Sequence, residues 1–274
     1  YALWPAKRRI VVANATHVLG SQLAESRTRA LARRIYQTYA RYLVELMRLP
    51  SLPEHVPAQL VDADGERGVD SFAQIWSRYR EQGRGVIAVS IHIGSVETLV
   101  AAVAARGFPT YALADDTAYP ELYALLQAQR RRWGVEVIAW RNLRRTFAVL
   151  RQPAILGLLV DWGYRSDDIP VRLFGDWTTL PAGPAALAAK TRAAIVPMVC
   201  RRLPDGHFRA EHFAPIELAD DSPAEVARAT QAIADAVEAM VRFAPEQWYT
   251  FKPMWPASAE DAAALAQRAV AMAR

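Results

Sequence analysis

Residues 85–97 read Gly85-Val86-Ile87-Ala88-Val89-Ser90-Ile91-His92-Ile93-Gly94-Ser95-Val96-Glu97. The run 85–91 is apolar, rich in β-branched residues and introduced by Gly83 and Gly85, so it predicts a buried strand. Residues 97–107 predict a helix closed by Gly107. His92 therefore falls where a strand ends, and Glu97 in the first turn of the following helix. Residues five apart on one continuous helix point about 140° away from each other, so the two side chains meet only if the chain turns between them. Gly94 permits a sharp turn, and Ser95 stands at the N-cap position. A histidine and a carboxylate joined at such a turn form a general-base pair, in which the carboxylate fixes the imidazole tautomer and stabilises the imidazolium. The plainer reading of the same residues is a satisfied strand-end histidine and a helix-terminus charge.

The rest of the chain repeats this strand-then-helix pattern. Strands are expected at 110–114, 135–139, 154–161, 195–201 and 207–212, and helices at 120–133, 143–150, 182–191, 223–242 and 260–273. Before them come helices at 7–20, 23–48 and 71–82, with 56–68 as a polar loop or ribbon. The second helix carries Leu31, Ile35, Tyr39, Tyr42, Leu43, Leu46 and Met47 on a broad apolar face, and Pro50 and Pro53 end it. This alternation predicts an α/β fold, a mostly parallel mixed sheet flanked by helices on both faces. The expected organisation is one domain over 1–274: a helical segment at 1–53 suited to facing a membrane, an α/β core at 83–255 and a helical tail at 258–274. In such sheets the chemistry lies beyond the carboxyl ends of strands. Two strands end on reactive residue types, Ile91-His92 and Leu159-Val160-Asp161, which places Asp161 near His92.

Composition narrows the function. With 274 residues, 52% hydrophobic and 22% charged, the chain is globular and long enough for a substantial core. Its one cysteine, Cys200, sits in an apolar run and is expected to be a buried structural thiol. The net charge is +5, with arginine clusters at Arg8-Arg9, Arg33-Arg34, Arg130 to Arg132, Arg144-Arg145 and Arg201-Arg202. Such a surface attracts nucleic acid, anionic lipid or phosphorylated substrates. No helix-turn-helix, zinc knuckle or RNP-like segment is present, which disfavours nucleic acid. No apolar run reaches the 18 or so residues of a membrane span. The opening Tyr1-Ala2-Leu3-Trp4 with Lys7, Arg8 and Arg9 suits the edge of a membrane anchor upstream of Tyr1 as well as it suits a plain terminus.

Six ordered segments carry a family resemblance. His92-x4-Glu97 follows a hydrophobic strand. Leu158-Leu159-Val160-Asp161-Trp162-Gly163-Tyr164-Arg165 precedes Val171-Arg172-Leu173-Phe174-Gly175. Then come Pro181-Ala182-Gly183-Pro184-Ala185-Ala186-Leu187-Ala188, Ile195-Val196-Pro197 and Pro245-Glu246-Gln247-Trp248. Together they resemble the bacterial lipid A lauroyl/myristoyl acyltransferase family, which includes phosphatidylinositol mannoside acyltransferases and has a glycerolipid acyltransferase-like fold. Where that family usually has Asn and Trp, this chain has Ser95 and Val96. The resemblance implies transfer of a fatty acyl chain from acyl-CoA or acyl carrier protein to a glycolipid hydroxyl, at an anionic membrane surface on the cytoplasmic face of the inner membrane. Lipid A precursor and mannosylated phosphoinositide both stand as acceptors. A lysophospholipid acyltransferase, a non-catalytic lipid-binding protein and an ester or thioester hydrolase are the alternatives.

That chemistry assigns His92 as general base, Glu97 as its orienting partner and Asp161 in support. The oxyanion needs donors, from amides at the Gly94–Val96 turn or from an arginine, and the chain needs a long apolar slot. Gly94, Ser95, Arg141 and Arg165 are the candidate substrate-binding residues, Arg165 for an anionic headgroup or donor phosphate and Arg141 because the resemblance implies an arginine before this helix. Ser95 is a cap or substrate contact, since no Gly-x-Ser-x-Gly elbow is present. No metal-ligand spacing or Gly-rich phosphate loop appears, so no metal and no cofactor beyond the acyl donor is expected.

Overall fold

The computed structural model describes residues 4–20, 24–62, 64–115 and 120–272. The expectations for Tyr1 to Leu3 and for a helix start at residue 23 fall outside them. Ten helices longer than one 3-10 turn and nine strands are seen among the described residues. In chain order they are α1 (Pro5–Leu19), α2 (Glu25–Arg48), α3 (Val56–Gln59), β1 (Val61–Asp62), α4 (Val69–Glu81), β2 (Val86–Ser90), α5 (Val96–Ala104), β3 (Thr110–Ala114), α6 (Pro120–Arg132), β4 (Glu136–Ala139), α7 (Leu143–Leu150), β5 (Ile155–Leu159), β6 (Ile169–Leu173), β7 (Asp176–Leu180), α8 (Gly183–Thr191), β8 (Ala194–Arg202), β9 (Phe208–His212), α9 (Pro223–Phe243) and α10 (Ala259–Met272).

Seven strands form one sheet in the order β1-β9-β8-β2-β5-β3-β4. Every pairing is parallel except β8 with β9, which is the mixed, mostly parallel sheet the alternation predicts. β2 is central, and its side chains alternate between two cores. Ile87, Val89 and Ile91 enter a cluster with residues of α7, α8 and α9. Val86 enters a second cluster beneath α4 and α5, with Phe72, Trp76, Leu99 and Val103. A strand apolar on both faces needs helices on both sides, and each such side chain contributes about 1.5–3 kcal/mol on burial.

Four elements in two regions were not anticipated. The 56–68 stretch contains α3 and β1, the latter an edge strand parallel to β9. β6 and β7 form a separate antiparallel hairpin, closed by Phe174 and Gly175 at φ 52° and 85°. Two positive φ values at the centre of a two-residue loop make a type I′ turn, whose twist matches the flanking strands. The helical hairpin α1–α2 has its own small core of Val11, Ala15, Leu31, Ala32 and Ile35, against which Phe251 packs. Among the described residues no helix is long and apolar enough to cross a membrane.

Candidate active site

The β2–β5 register builds the site. Ser90 pairs with Leu159, and the Val160 N–H continues the ladder to the Ser90 carbonyl at 3.1 Å. Two residues beyond each partner, His92 and Asp161 stand side by side. The Asp161 carboxylate meets His92 twice, Oδ1 at 2.8 Å from the ring Nδ1 and Oδ2 at 2.9 Å from the backbone N–H. The Trp248 indole N–H donates to the same Oδ2 at 3.0 Å. An ionised carboxylate only accepts, so the proton of a neutral His92 is on Nδ1 and Nε2 keeps its lone pair. The Asp161 side chain is 1% exposed and that of His92 42%, so the carboxylate is sealed while the imidazole is partly open to solvent. Trp162 stands edge-on to the imidazole, ring centroids 6.0 Å apart.

Burial opposes charge on both partners, but each is the other's compensation. The Asp161 carboxylate, by its charge and hydrogen bond, holds the His92 imidazolium above its ordinary value. Burial alone would raise Asp161; the His92 charge, the His92 hydrogen bonds and the Trp248 N–H hold it below the usual carboxylate range.

The turn after His92 is rigid. Gly94 has φ +58°, and a Cβ there would lie 1.9 Å from the Cys200 carbonyl oxygen, so no other residue fits the backbone approach. The Gly94 N–H donates to Gln247 O and the Ser95 N–H to Cys200 O, both at 3.1 Å, while Tyr249 N–H donates to His92 O at 2.7 Å. Ser95 caps α5, its Oγ accepting from Thr98 N–H at 3.3 Å. Gly94 and Ser95 thus shape the turn. Their amides are committed within the fold, which corrects the expectation that they serve the oxyanion. Cys200 is buried, and burial pushes its thiol up to about 12.

Glu97 is placed differently from the sequence expectation. Its Oε2 and Oε1 accept from Arg130 Nε at 3.0 Å and Nη2 at 2.5 Å. The carboxylate is 3% exposed and the guanidinium 12%, so this is a bidentate pair buried between α5 and α6. The carboxylate hydrogen-bonded to His92 is Asp161, and the orienting role expected of Glu97 passes to it. Glu97 remains near enough to raise His92 slightly, as the smallest of the named influences. Tyr42, reaching in from α2, is pushed up by burial and by the Glu97 charge.

The two candidate arginines are not brought to the dyad by any hydrogen bond. Arg165 is exposed and faces Asp167 and Asp168, at 3.3 and 3.9 Å. Arg141 lies over the exposed Trp140 ring, 5.2 Å from its centroid. Two contributors were missed. Arg130 reads in sequence as one of a surface run of three arginines, and Trp248 as part of a motif without a role; neither partner is nearby in the chain. Among the described residues no group of three or more His, Cys, Asp or Glu is placed to hold a metal ion.

An apolar cavity of about 80 Å³ lies under α5, lined by Ala88, Leu99, Val103, Ala112, Gly157 and Leu158 among others, with Ser90 and Arg130 at its polar margin. Ser90 is buried and its hydroxyl has no hydrogen-bond partner.

Comparison with known proteins identifies the family. Residues 3–256 match the family model described as bacterial lipid A biosynthesis acyltransferase. The chain is 28% identical over 236 residues to a phosphatidylinositol mannoside acyltransferase of Mycolicibacterium smegmatis, covering 84% of this chain and 74% of that one. It is 26% identical over 230 residues to a Mycobacterium tuberculosis protein of the same name, covering 82% and 70%. With a family match over nearly its whole length, the chain belongs to the bacterial lipid A biosynthesis acyltransferases and is an acyltransferase.

Proposed function

We propose that the protein transfers a fatty acyl chain from acyl-CoA or acyl carrier protein to a hydroxyl of a glycolipid of the phosphatidylinositol mannoside type. The observation that carries this reading is the His92–Asp161 dyad, in which the carboxylate occupies Nδ1, leaving Nε2 as the other ring nitrogen of a part-exposed imidazole. The acceptor hydroxyl gives its proton to Nε2 as its oxygen attacks the thioester carbonyl. The tetrahedral intermediate collapses with loss of the thiolate, which takes the proton back from Nε2 and leaves as thiol. Asp161 stabilises the transient imidazolium and keeps the ring in its tautomer. With the Gly94 and Ser95 amides committed, the first-turn amides of Val96 and Glu97 are the helix-borne donors left for the oxyanion.

The mannoside acceptor is favoured over a lipid A precursor by the names of the curated relatives. The cavity under α5 offers the start of an apolar slot, with room for only a few methylene groups before side chains move. The scheme uses no metal and no bound cofactor; the acyl donor enters as substrate. Leu43, Val44 and Met47 are exposed on α2, next to Arg48. An apolar stripe bordered by cations suits peripheral docking on an anionic leaflet, and the donor places the reaction on the cytoplasmic face of the inner membrane.

Radiolabelled palmitoyl-CoA is incubated with phosphatidylinositol mannoside in vesicles. Wild type yields a labelled glycolipid and His92→Ala does not. Free palmitate appearing at the same rate without glycolipid would turn the reading to a hydrolase.

A further inference from the structure

The chain has three lysines against thirty arginines. Lys7 donates to the Phe251 carbonyl at 3.1 Å, and Lys190 pairs with Asp221 at 2.5 Å. Lys252 has no acidic partner among the described residues. Its ammonium instead lies 5.1 Å from the centroid of the Trp162 ring, the same ring that stands edge-on to His92. That indole is itself held, its N–H donating to Leu159 O at 2.7 Å.

The lysine is also held. Its carbonyl accepts from the Nδ2 of buried Asn14 at 2.9 Å, whose Oδ1 takes the Met254 N–H at 3.1 Å. The Tyr164 N–H donates to the Pro253 carbonyl at 2.8 Å. The stem lies against Gly163, where a Cβ would come within 2.9 Å of Lys252 Cβ. Gly163 has φ +95°, so both the conformation and the space favour glycine at this contact. An exposed ammonium with an anchored backbone, no acidic partner among the described residues and a place on the ring that stands edge-on to His92 suits an anion. A compact ammonium with three donors takes a phosphate from many directions.

We propose that Lys252, laid over Trp162, receives a substrate phosphate beside His92 and so positions that substrate for transfer. The proposal rests on the acyl-transfer reading above, whose two substrates both carry phosphate: the donor in its coenzyme portion, the acceptor in its phosphoinositide headgroup.

Wild type, Lys252→Gln and Lys252→Arg are assayed with palmitoyl-CoA and vesicle-borne phosphatidylinositol mannoside, each varied with the other saturating. Lys252→Gln is expected to raise one KM about tenfold while kcat and the other KM stay within twofold, and Lys252→Arg to restore most of the loss. S-palmitoyl-pantetheine, which has no phosphate, separates the sources. If the donor phosphate is held, Lys252→Gln loses the wild-type preference for palmitoyl-CoA over it. If the acceptor phosphate is held, that preference stays and the glycolipid KM moves. Titration of inorganic pyrophosphate, about tenfold weaker in Lys252→Gln, reads the anion site without any turnover. Unchanged KM values together with unchanged pyrophosphate binding, or Lys252→Arg failing like Lys252→Gln, overturns the proposal. Absence of transfer by wild type, with pyrophosphate binding still dependent on Lys252, instead overturns the reaction beneath it.

Discussion

Asp161 grips His92 at two points, the ring Nδ1 through one oxygen and the backbone N–H through the other. A carboxylate bonded to both orients the imidazole and fixes the position of the strand end that carries it. Asp161→Asn is therefore expected to lower kcat/KM by roughly 10²- to 10⁴-fold.

The same substitution shifts the pH profile. In the proposed reaction His92 serves as a base only when neutral, and Asp161 holds its pKa above the ordinary 6.5. Activity of wild type therefore rises with pH through a value above 6.5. Removing the carboxylate lowers that value, and the acid limb of kcat/KM moves to lower pH in Asp161→Asn. A limb that stays in place would show that another group titrates.

Stability follows the pair with a definite sign. The raised His92 contributes fully below its unfolded value near 6.5, and that contribution is lost as pH rises through the folded pKa. The lowered Asp161 contributes above its unfolded value near 3.8, lost as pH falls through the folded pKa. The Tm gap between wild type and Asp161→Asn is expected to be widest between about pH 4 and 6.5 and to narrow on either side. Thermal melts across pH 3 to 9 check this.

Glu97 and Arg130 form a buried ion pair whose halves depend on each other. Arg130→Met strands a carboxylate that is 3% exposed and is expected to cost about 3–5 kcal/mol in urea unfolding. Glu97→Gln is isosteric but leaves the Arg130 guanidinium without its carboxylate, and it moves the acid limb in the same direction as Asp161→Asn but by less, because Glu97 is the weaker influence on His92. An equal shift from both would restore Glu97 to the orienting role.

Gly94→Ala drives a methyl group to 1.9 Å from the Cys200 carbonyl at φ +58°. Backbone on both sides leaves nothing flexible to yield. Destabilisation beyond about 4 kcal/mol is expected, seen as loss of soluble, folded protein; a normally folded variant would show that the turn can be rebuilt.

Sequence reading reached the sheet through local signals. Apolar runs mark β2, β5 and β8, and of the apolar face read along α2, Leu31, Ile35 and Leu46 are buried. These patterns work because a strand buried on both sides has only apolar choices. The β6–β7 hairpin escaped because its turn is Phe174-Gly175 rather than Asn-Gly or Asp-Gly, and because Arg172, Asp176 and Trp177 dilute the apolar alternation.

His92 and Asp161 were legible as strand ends, and a parallel sheet makes neighbouring strand ends converge. The choice of carboxylate was not legible. Glu97 is five residues from His92 and Asp161 sixty-nine, and chain proximity favours the first. The sequence by itself determined an α/β sheet with a histidine at its centre and acids close by. Only the tertiary structure decided which acid serves it: the β2–β5 register brings Asp161 to the ring, while the crossing of α6 over α5 delivers Arg130 to Glu97. Register and helix crossing are set by side chains packing across the whole core, and no local window of residues contains them.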